Sequence, residues 1–147
     1  MGQEIFQQMQ NASVRAPLPP TNGYESEESL LAAIAQAEYA SRRRRDALFH
    51  PGIFAEPAWD MLLDLYVQEH LKRPVSIHSL CIAAAVPPTT ALRWIGRLVE
   101  CGLMAREPSH RDNRVVHVAL TATGRGEMEQ YLRSRLAAGA IGHSRGA

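Results

Sequence analysis

Cysteine is scarce: Cys81 and Cys101 are the only two in 147 residues, too few and too far apart for a disulfide framework or a Cys-x-x-Cys metal clip. That scarcity fits a reducing compartment. The six histidines, His50, His70, His78, His110, His117 and His143, show no metal-ligand spacing, so neither a metal nor another cofactor is expected. No apolar run approaches the ~18 residues of a membrane helix, and Met1–Gln10 has neither the basic start nor the apolar stretch of an export signal. Arg42–Arg45 lies too far inside the chain to serve as one. No membrane partner is expected, and the cytoplasm is the expected location. Also missing are a Ser/His/Asp set, a glycine-rich phosphate loop and a matched carboxylate pair, so no enzymatic activity is expected. What remains, 46% apolar, 21% charged and 6% aromatic residues, is the composition of an ordinary globular chain. Its length supports one domain, or a small core with helical extensions.

The formal net charge of +1 argues at first against nucleic acid, because a phosphate-binding surface needs an excess of Lys and Arg. The distribution reverses that inference. Residues 1–40 carry a net charge of −4 and residues 41–71 of −1, whereas residues 72–114 carry +4 and residues 115–147 carry +2. The middle of the chain is basic and its beginning is acidic.

Residues 1–24, with Pro17, Pro19, Pro20 and Asn22-Gly23, read as a flexible arm. Residues 25–50 read as a helix capped by Ser26, with Glu27 and Glu28 in its first turn and an inward stripe of Leu30, Ile34, Ala37 and Leu48. A second helix starts at Pro57 and carries Trp59, Leu62, Leu63, Tyr66 and Val67 on nearly all sides, so it is expected to be central. After a short apolar strand, Val75–Ile77, Ser76 caps a helix with Ile77, Leu80, Cys81 and Ala84 inward. Pro87 and Pro88 are expected to stop that helix and start the next, which runs to the Gly102 cap. On its wheel Ala91, Ile95 and Leu98 face inward, while Thr89, Arg93, Gly96 and Arg97 face out, flanked by Thr90 and Leu92. Leu103–Arg106 and Val115–Leu120 alternate as a two-stranded hairpin, with Val116, Val118 and Leu120 on one face and a polar tip between them. Thr121 caps a last helix bearing Met128, Tyr131, Leu132 and Leu136, and residues 139–147 read as a flexible tail.

The expected fold is mainly α with a small β-hairpin wing: a winged helix-turn-helix over residues 56–120, flanked by dimerisation helices at residues 25–50 and 121–138. In such a fold the second helix of the pair fits a major groove and the hairpin reaches phosphate or the minor groove. The stretch Ser76–Leu103, with Leu80, Ala83, Val86, Thr89-Thr90, Arg97-Leu98 and Gly102-Leu103, resembles the core of MarR-type winged-helix regulators. Asp112-Asn113-Arg114, Val118, Leu120-Thr121 and Gly124 match that family's wing motif, Asp-x-Arg before Leu-Thr-x-x-Gly. The resemblance covers about residues 56–136. Pro87 in the turn, Asn113 in the wing and the apolar Leu92 depart from the family pattern, which bears on base preference more than on fold.

By position, Thr89 and Thr90 offer hydroxyls and helix-end N–H groups to phosphate or a base edge, Arg93 is the base reader and Arg97 a phosphate or second base contact. Leu92 is placed to touch a thymine methyl. Arg111, with Asn113 and Arg114, forms the wing contact, and the resemblance implies that Asp112 and Arg114 pair to brace it. Arginines at such positions also fit a merely solvated surface. Arg42–Arg45 fits a DNA-facing patch or a salt-bridged helix segment equally well.

The partners expected are double-stranded DNA and a second copy of the chain. The stripe of the first helix and the face Met128, Tyr131, Leu132 and Leu136 need cover, and a homodimer supplies it, reading a pseudo-palindromic operator as a transcriptional regulator of the repressor type, located at the nucleoid. The resemblance further implies a small aromatic effector, for which Tyr39, Phe49, Trp59 and Tyr66, with Arg42 or His50 as anion anchor, are the candidates; plain core packing accounts for the aromatics as well. Two other readings are a winged-helix protein-interaction module using Leu92 and Trp94, and a thiol-based redox sensor using Cys101, which also fits inert packing.

Overall fold

The computed structural model describes residues 26–50 and 52–144, and side chains through residue 139. The arm expected at residues 1–24 lies outside the described residues, as do residues 145–147. Helix α1, Glu27–Leu48, begins where Ser26 Oγ accepts the Ser29 backbone N–H at 3.1 Å. Helix α2, Pro57–His70, starts with proline at its first turn and buries Met61, Leu63, Leu65, Tyr66 and Val67. It is central as its sequence requires, touching every other helix and the sheet. Strand β1, Val75–Ser76, leads into α3, Ile77–Ala83, capped by Ser76 Oγ on the Ser79 N–H at 3.0 Å. Helix α4, Pro88–Glu100, strands β2, Met104–Pro108, and β3, Val116–Leu120, and helix α5, Ala122–Ser144, complete the fold. The expected architecture, mainly helical with a winged helix-turn-helix, is the one found.

The sheet has three strands in the order β1-β3-β2, all antiparallel, with Val75 opposite Val118 and Met104 opposite Leu120. The wing is therefore not a free two-stranded hairpin: Val75–Ser76 pairs with its root and ties it to the start of α3. Val118 and Leu120 point into the core, but Val116 lies beyond the core's edge, opposite Pro108, and is exposed.

Four expectations require correction. The buried face of α1 is Leu31, Ala32, Ala35, Arg42 and Arg43; Leu30, Ile34 and Ala37 are only partly covered and Leu48 is 82% exposed. Helix α3 ends four residues before Pro87, because the chain reverses at Ala85, whose φ of 55° is left-handed. Met128 and Leu132 are buried by α1 and α2 of the same chain, so that part of the last helix needs no second copy to cover it. Finally, α5 continues through Ser144, past the tail expected from residue 139: Ala137-Ala138-Gly139-Ala140 contains three strong helix formers and no proline.

Arg42 and Arg43 are neither a DNA patch nor solvated. Asp60, fully buried in α2, accepts Arg42 Nε at 2.6 Å and Arg43 Nη2 at 2.7 Å. Arg42 Nη1 also reaches Glu56 at 2.6 Å, and Arg43 pairs with Asp46 at 3.2 Å. This cluster fixes α1 against α2. From the same face of α1, the Tyr39 hydroxyl donates to the Ala83 carbonyl at 2.8 Å and anchors the end of α3. No described helix is long and apolar enough to cross a membrane.

Candidate nucleic-acid interface

The interface rests on two elements held by different means. Helix α4 buries Ala91, Ile95 and Leu98 and turns Thr89, Leu92, Arg93 and Arg97 outward. Its end is fixed by a Schellman motif: Gly102 at φ 75° lets its N–H reach the Val99 carbonyl at 3.0 Å and the Leu103 N–H reach that of Leu98 at 3.1 Å. At its start no side chain caps the helix, so the N–H groups of Thr89 and Thr90 face outward at the positive end of the dipole. The Arg93 side chain is exposed and makes no hydrogen bond or ion pair with any described residue. The Arg97 guanidinium lies 5.0 Å from the Trp94 ring centroid, so it stands against a flat platform. Leu92 is 48% exposed.

The wing tip is organised by Asp112. Its Oδ1 accepts the Arg114 backbone N–H at 3.0 Å and Arg114 Nε at 3.2 Å, and its carbonyl accepts the Val115 N–H at 3.0 Å. The bonds from Arg114, the backbone one foremost, hold the Asp112 carboxyl below the usual carboxylate range. The pairing that the resemblance implies is thus present. The Arg111 backbone N–H donates to Ser109 Oγ at 3.3 Å, while its side chain, with those of Asn113 and Arg114, is exposed. The structure therefore groups Thr89, Leu92, Arg93 and Arg97 on one helix face, with the half-buried Thr90 at its edge, and groups Arg111, Asn113 and Arg114 on the loop after β2. Arg106, exposed on β2, is a further cation of the wing; it lies on the strand face of Met104, opposite Val118, where alternation alone would turn it inward, and it is exposed because β2 there runs past the edge of the core.

The six residues expected to hold an effector do not come together. Arg42 and Trp59 line a cavity of about 1050 Å³ between α1, α2 and α5, but Arg42 is already engaged by Asp60 and Glu56 and is not a free anion anchor. Tyr39 lies in a different cavity, Tyr66 is core, and Phe49 packs edge-on against Phe54 at the exposed turn after α1, with His50 beside it in sequence. The larger cavity is instead walled by Trp59, Trp94 and Tyr131, with Trp59 Nε1 donating to Glu38 at 3.1 Å and Tyr131 stacked edge-on to Trp59 at 4.8 Å. Trp94, at the side of α4, and Tyr131, on the last helix, were expected as a protein-interaction contact and as part of a dimer face, and were not among the effector candidates. Among the described residues no group of three His, Cys, Asp or Glu stands in metal-binding proximity.

Fold and surface together define a winged helix-turn-helix with its second helix and wing presented outward. Residues 60–124 match the family model of a winged helix DNA-binding domain. A single-substitution mutant of S. aureus MepR shares the fold over 83% of this chain and 85% of its own, at 15% identity and a TM-score of 0.51. Transcriptional regulator Tm0710 from Thermotoga maritima aligns over 75% and 72% at 18% identity and 0.46, and a mutant of E. coli MarR over 74% and 75% at 23% and 0.44. No curated protein matches the chain. Residues 60–124 are thus similar to a winged-helix DNA-binding domain, and the resemblance to MarR-type winged-helix regulators holds at the level of the fold.

Proposed function

We propose that the protein is a sequence-specific transcriptional regulator, a repressor that binds a pseudo-palindromic operator as a homodimer. The observation that carries this reading is the division of α4 into a fully buried face and an outer face whose Arg93 has no partner within the described chain, beside a wing braced by Asp112. Thr89, Thr90, Leu92, Arg93 and Arg97 enter the major groove; Arg111, Asn113 and Arg114 meet the adjacent backbone or minor groove. A cytoplasmic location at the nucleoid and the absence of enzymatic activity belong to the same reading.

The test starts from DNA selected from a random pool by the intact protein. Against that site Arg93→Ala is expected to lose about 1–3 kcal/mol and to relax discrimination at one position. Unchanged binding would sink the role assigned to Arg93. The dimer draws support from the exposed apolar cluster Leu48, Phe49, Ile53 and Phe54 at the turn between α1 and α2. Sedimentation at micromolar concentration without DNA should find two chains, with selected half-sites about one helical turn apart; a monomer would count against it.

The 1050 Å³ cavity supports a small aromatic effector, seated between Trp59, Trp94 and Tyr131. Because Trp94 also carries Arg97, filling the cavity is expected to shift a DNA-facing side chain. A second reading, a redox regulator, has one observation in its favour: Cys101 is exposed at the end of α4. Alkylating Cys101 without changing DNA release would remove it. The exposure of Leu92 favours an interaction module only if DNA selection fails.

A further inference from the structure

A second cavity, of about 410 Å³, lies on the other side of α1, where Gln36 and Tyr39 face Asp64 and Gln68 of α2. Its remaining walls are the loop Arg73-Pro74, Val75 of β1 and the outer side of α3 at Ile82. It shares no lining residue with the larger cavity. Val67, Val75, Ile82 and Ala83 give it an apolar wall, and Gln36, Gln68 and Ser79 stand with Asp64 on its polar side.

The Asp64 carboxylate is mostly enclosed, and its one hydrogen bond comes from the neutral Gln68 amide at 3.3 Å. No cation among the described residues lies in ion-pairing range of it, in contrast to Asp60 one turn earlier, which holds two. Enclosure without a counter-charge pushes its pKa up to about 6. The other titratable lining groups are Tyr39, whose hydroxyl is spent on the Ala83 carbonyl, and Arg73. Arg73 is exposed at the rim, so it is solvated where it stands. The enclosed, uncompensated charge of this cavity is negative.

We propose that this cavity is a binding site for a small organic cation, an arylalkyl or alkyl amine whose ammonium pairs with Asp64 and whose apolar body lies against Val67, Val75 and Ile82. The ammonium supplies the counter-charge that the fold withholds from Asp64, and Gln36 and Gln68 are the neutral groups beside it. A volume of 410 Å³ is in the range of small-molecule sites. Since α3 forms one wall, an occupant bears on the first helix of the helix-turn-helix; this regulatory consequence rests on the DNA-binding reading, whereas the site itself does not.

The test uses the full chain and phenethylamine, with phenylacetate and N-acetylphenethylamine as anionic and neutral counterparts, followed by calorimetry and by Asp64 carboxyl chemical shift. Phenethylamine should bind and the other two should bind at least tenfold more weakly. Its affinity should rise about tenfold from pH 5 to pH 7 as Asp64 ionises, while the amine stays protonated. Asp64→Asn should weaken it about thirtyfold or more, and Ile82→Trp, a change at the exposed rim, should block it by occlusion with Asp64 intact. Absence of binding, equal binding of the acetylated or anionic compound, or full binding by Asp64→Asn would overturn the site. DNA affinity is then measured with the amine bound: binding without an effect on DNA overturns the regulatory consequence alone.

Discussion

Asp60 carries two guanidinium groups into the interior, and its replacement leaves Arg42 only Glu56 and Arg43 only Asp46. Asp60→Asn is expected to cost about 3–5 kcal/mol, read by urea denaturation, because the two buried guanidinium groups lose the one carboxylate that lies between them in the interior. Its neighbour Asp64 has the opposite sign of effect. The fold holds a proton on Asp64 more tightly than the unfolded chain does, so stability falls as pH rises from about 4 to about 6 and stays lower above. Asp64→Asn should therefore melt above the parent protein at pH 7, and the two melting temperatures should converge below pH 4. Two aspartates among the apolar residues of helix Pro57–His70 were the visible sign of buried charge in the sequence. Which one is paired could not be read there, since the partners of Asp60 come from a helix where hydrophobic periodicity scores arginine as surface. For the same reason the stripe of α1 falls one residue away from the apolar pattern: its register is set by Arg42 and Arg43 as much as by Leu31 and Ala35.

The elements that read most clearly from sequence are those whose reasons are local. Capping by Ser26 and Ser76, the glycine stop of α4 and the dry face of that helix each depend on residues a few positions apart. The Leu120-Thr121-x-x-Gly124 motif shows what such a pattern encodes. Thr121 donates to the Gly102 carbonyl and accepts the Gly124 N–H, while its own N–H reaches Leu103, so the wing's last strand, the end of α4 and the start of α5 meet at one point. A Cβ on Gly124 would stand 2.1 Å from the Leu103 carbonyl oxygen. Gly124→Ala is expected to lose about 1–3 kcal/mol by backbone displacement, whereas Gly126→Ala, two residues on and in open space, should gain up to about 1 kcal/mol from helix propensity. Chemical denaturation of the two variants gives the comparison. The walls of the 1050 Å³ cavity were only partly legible by contrast: Trp59 stood out, but Trp94 and Tyr131 join it from two other helices whose approach is fixed only by tertiary packing.

At the scale of the molecule, the near-neutral total conceals a working division of charge. On α1, Glu27 pairs with Arg133 of the last helix and Glu38 accepts from Trp59 and Tyr131, while Arg93, Arg106 and Arg111 stay exposed on the winged lobe. Under the DNA-binding reading, affinity for the selected site should fall steeply with salt. Arg111→Ala should weaken binding to all sequences alike and make the log–log salt slope shallower by about one for each phosphate it no longer neutralises, whereas Arg93→Ala should act through sequence discrimination. Anisotropy titrations at several salt concentrations separate the two.

The chain has two tryptophans, and both line the 1050 Å³ cavity. Its emission on excitation at the indole band is therefore a local signal: it reports polarity and quenching in that chamber and nowhere else in the fold. The Asp64 cavity has no indole in its walls. An amine seated there would leave the emission in place while a compound entering beside Trp59 and Trp94 would shift it, so the unlabelled protein distinguishes by colour which of its two chambers a compound has filled.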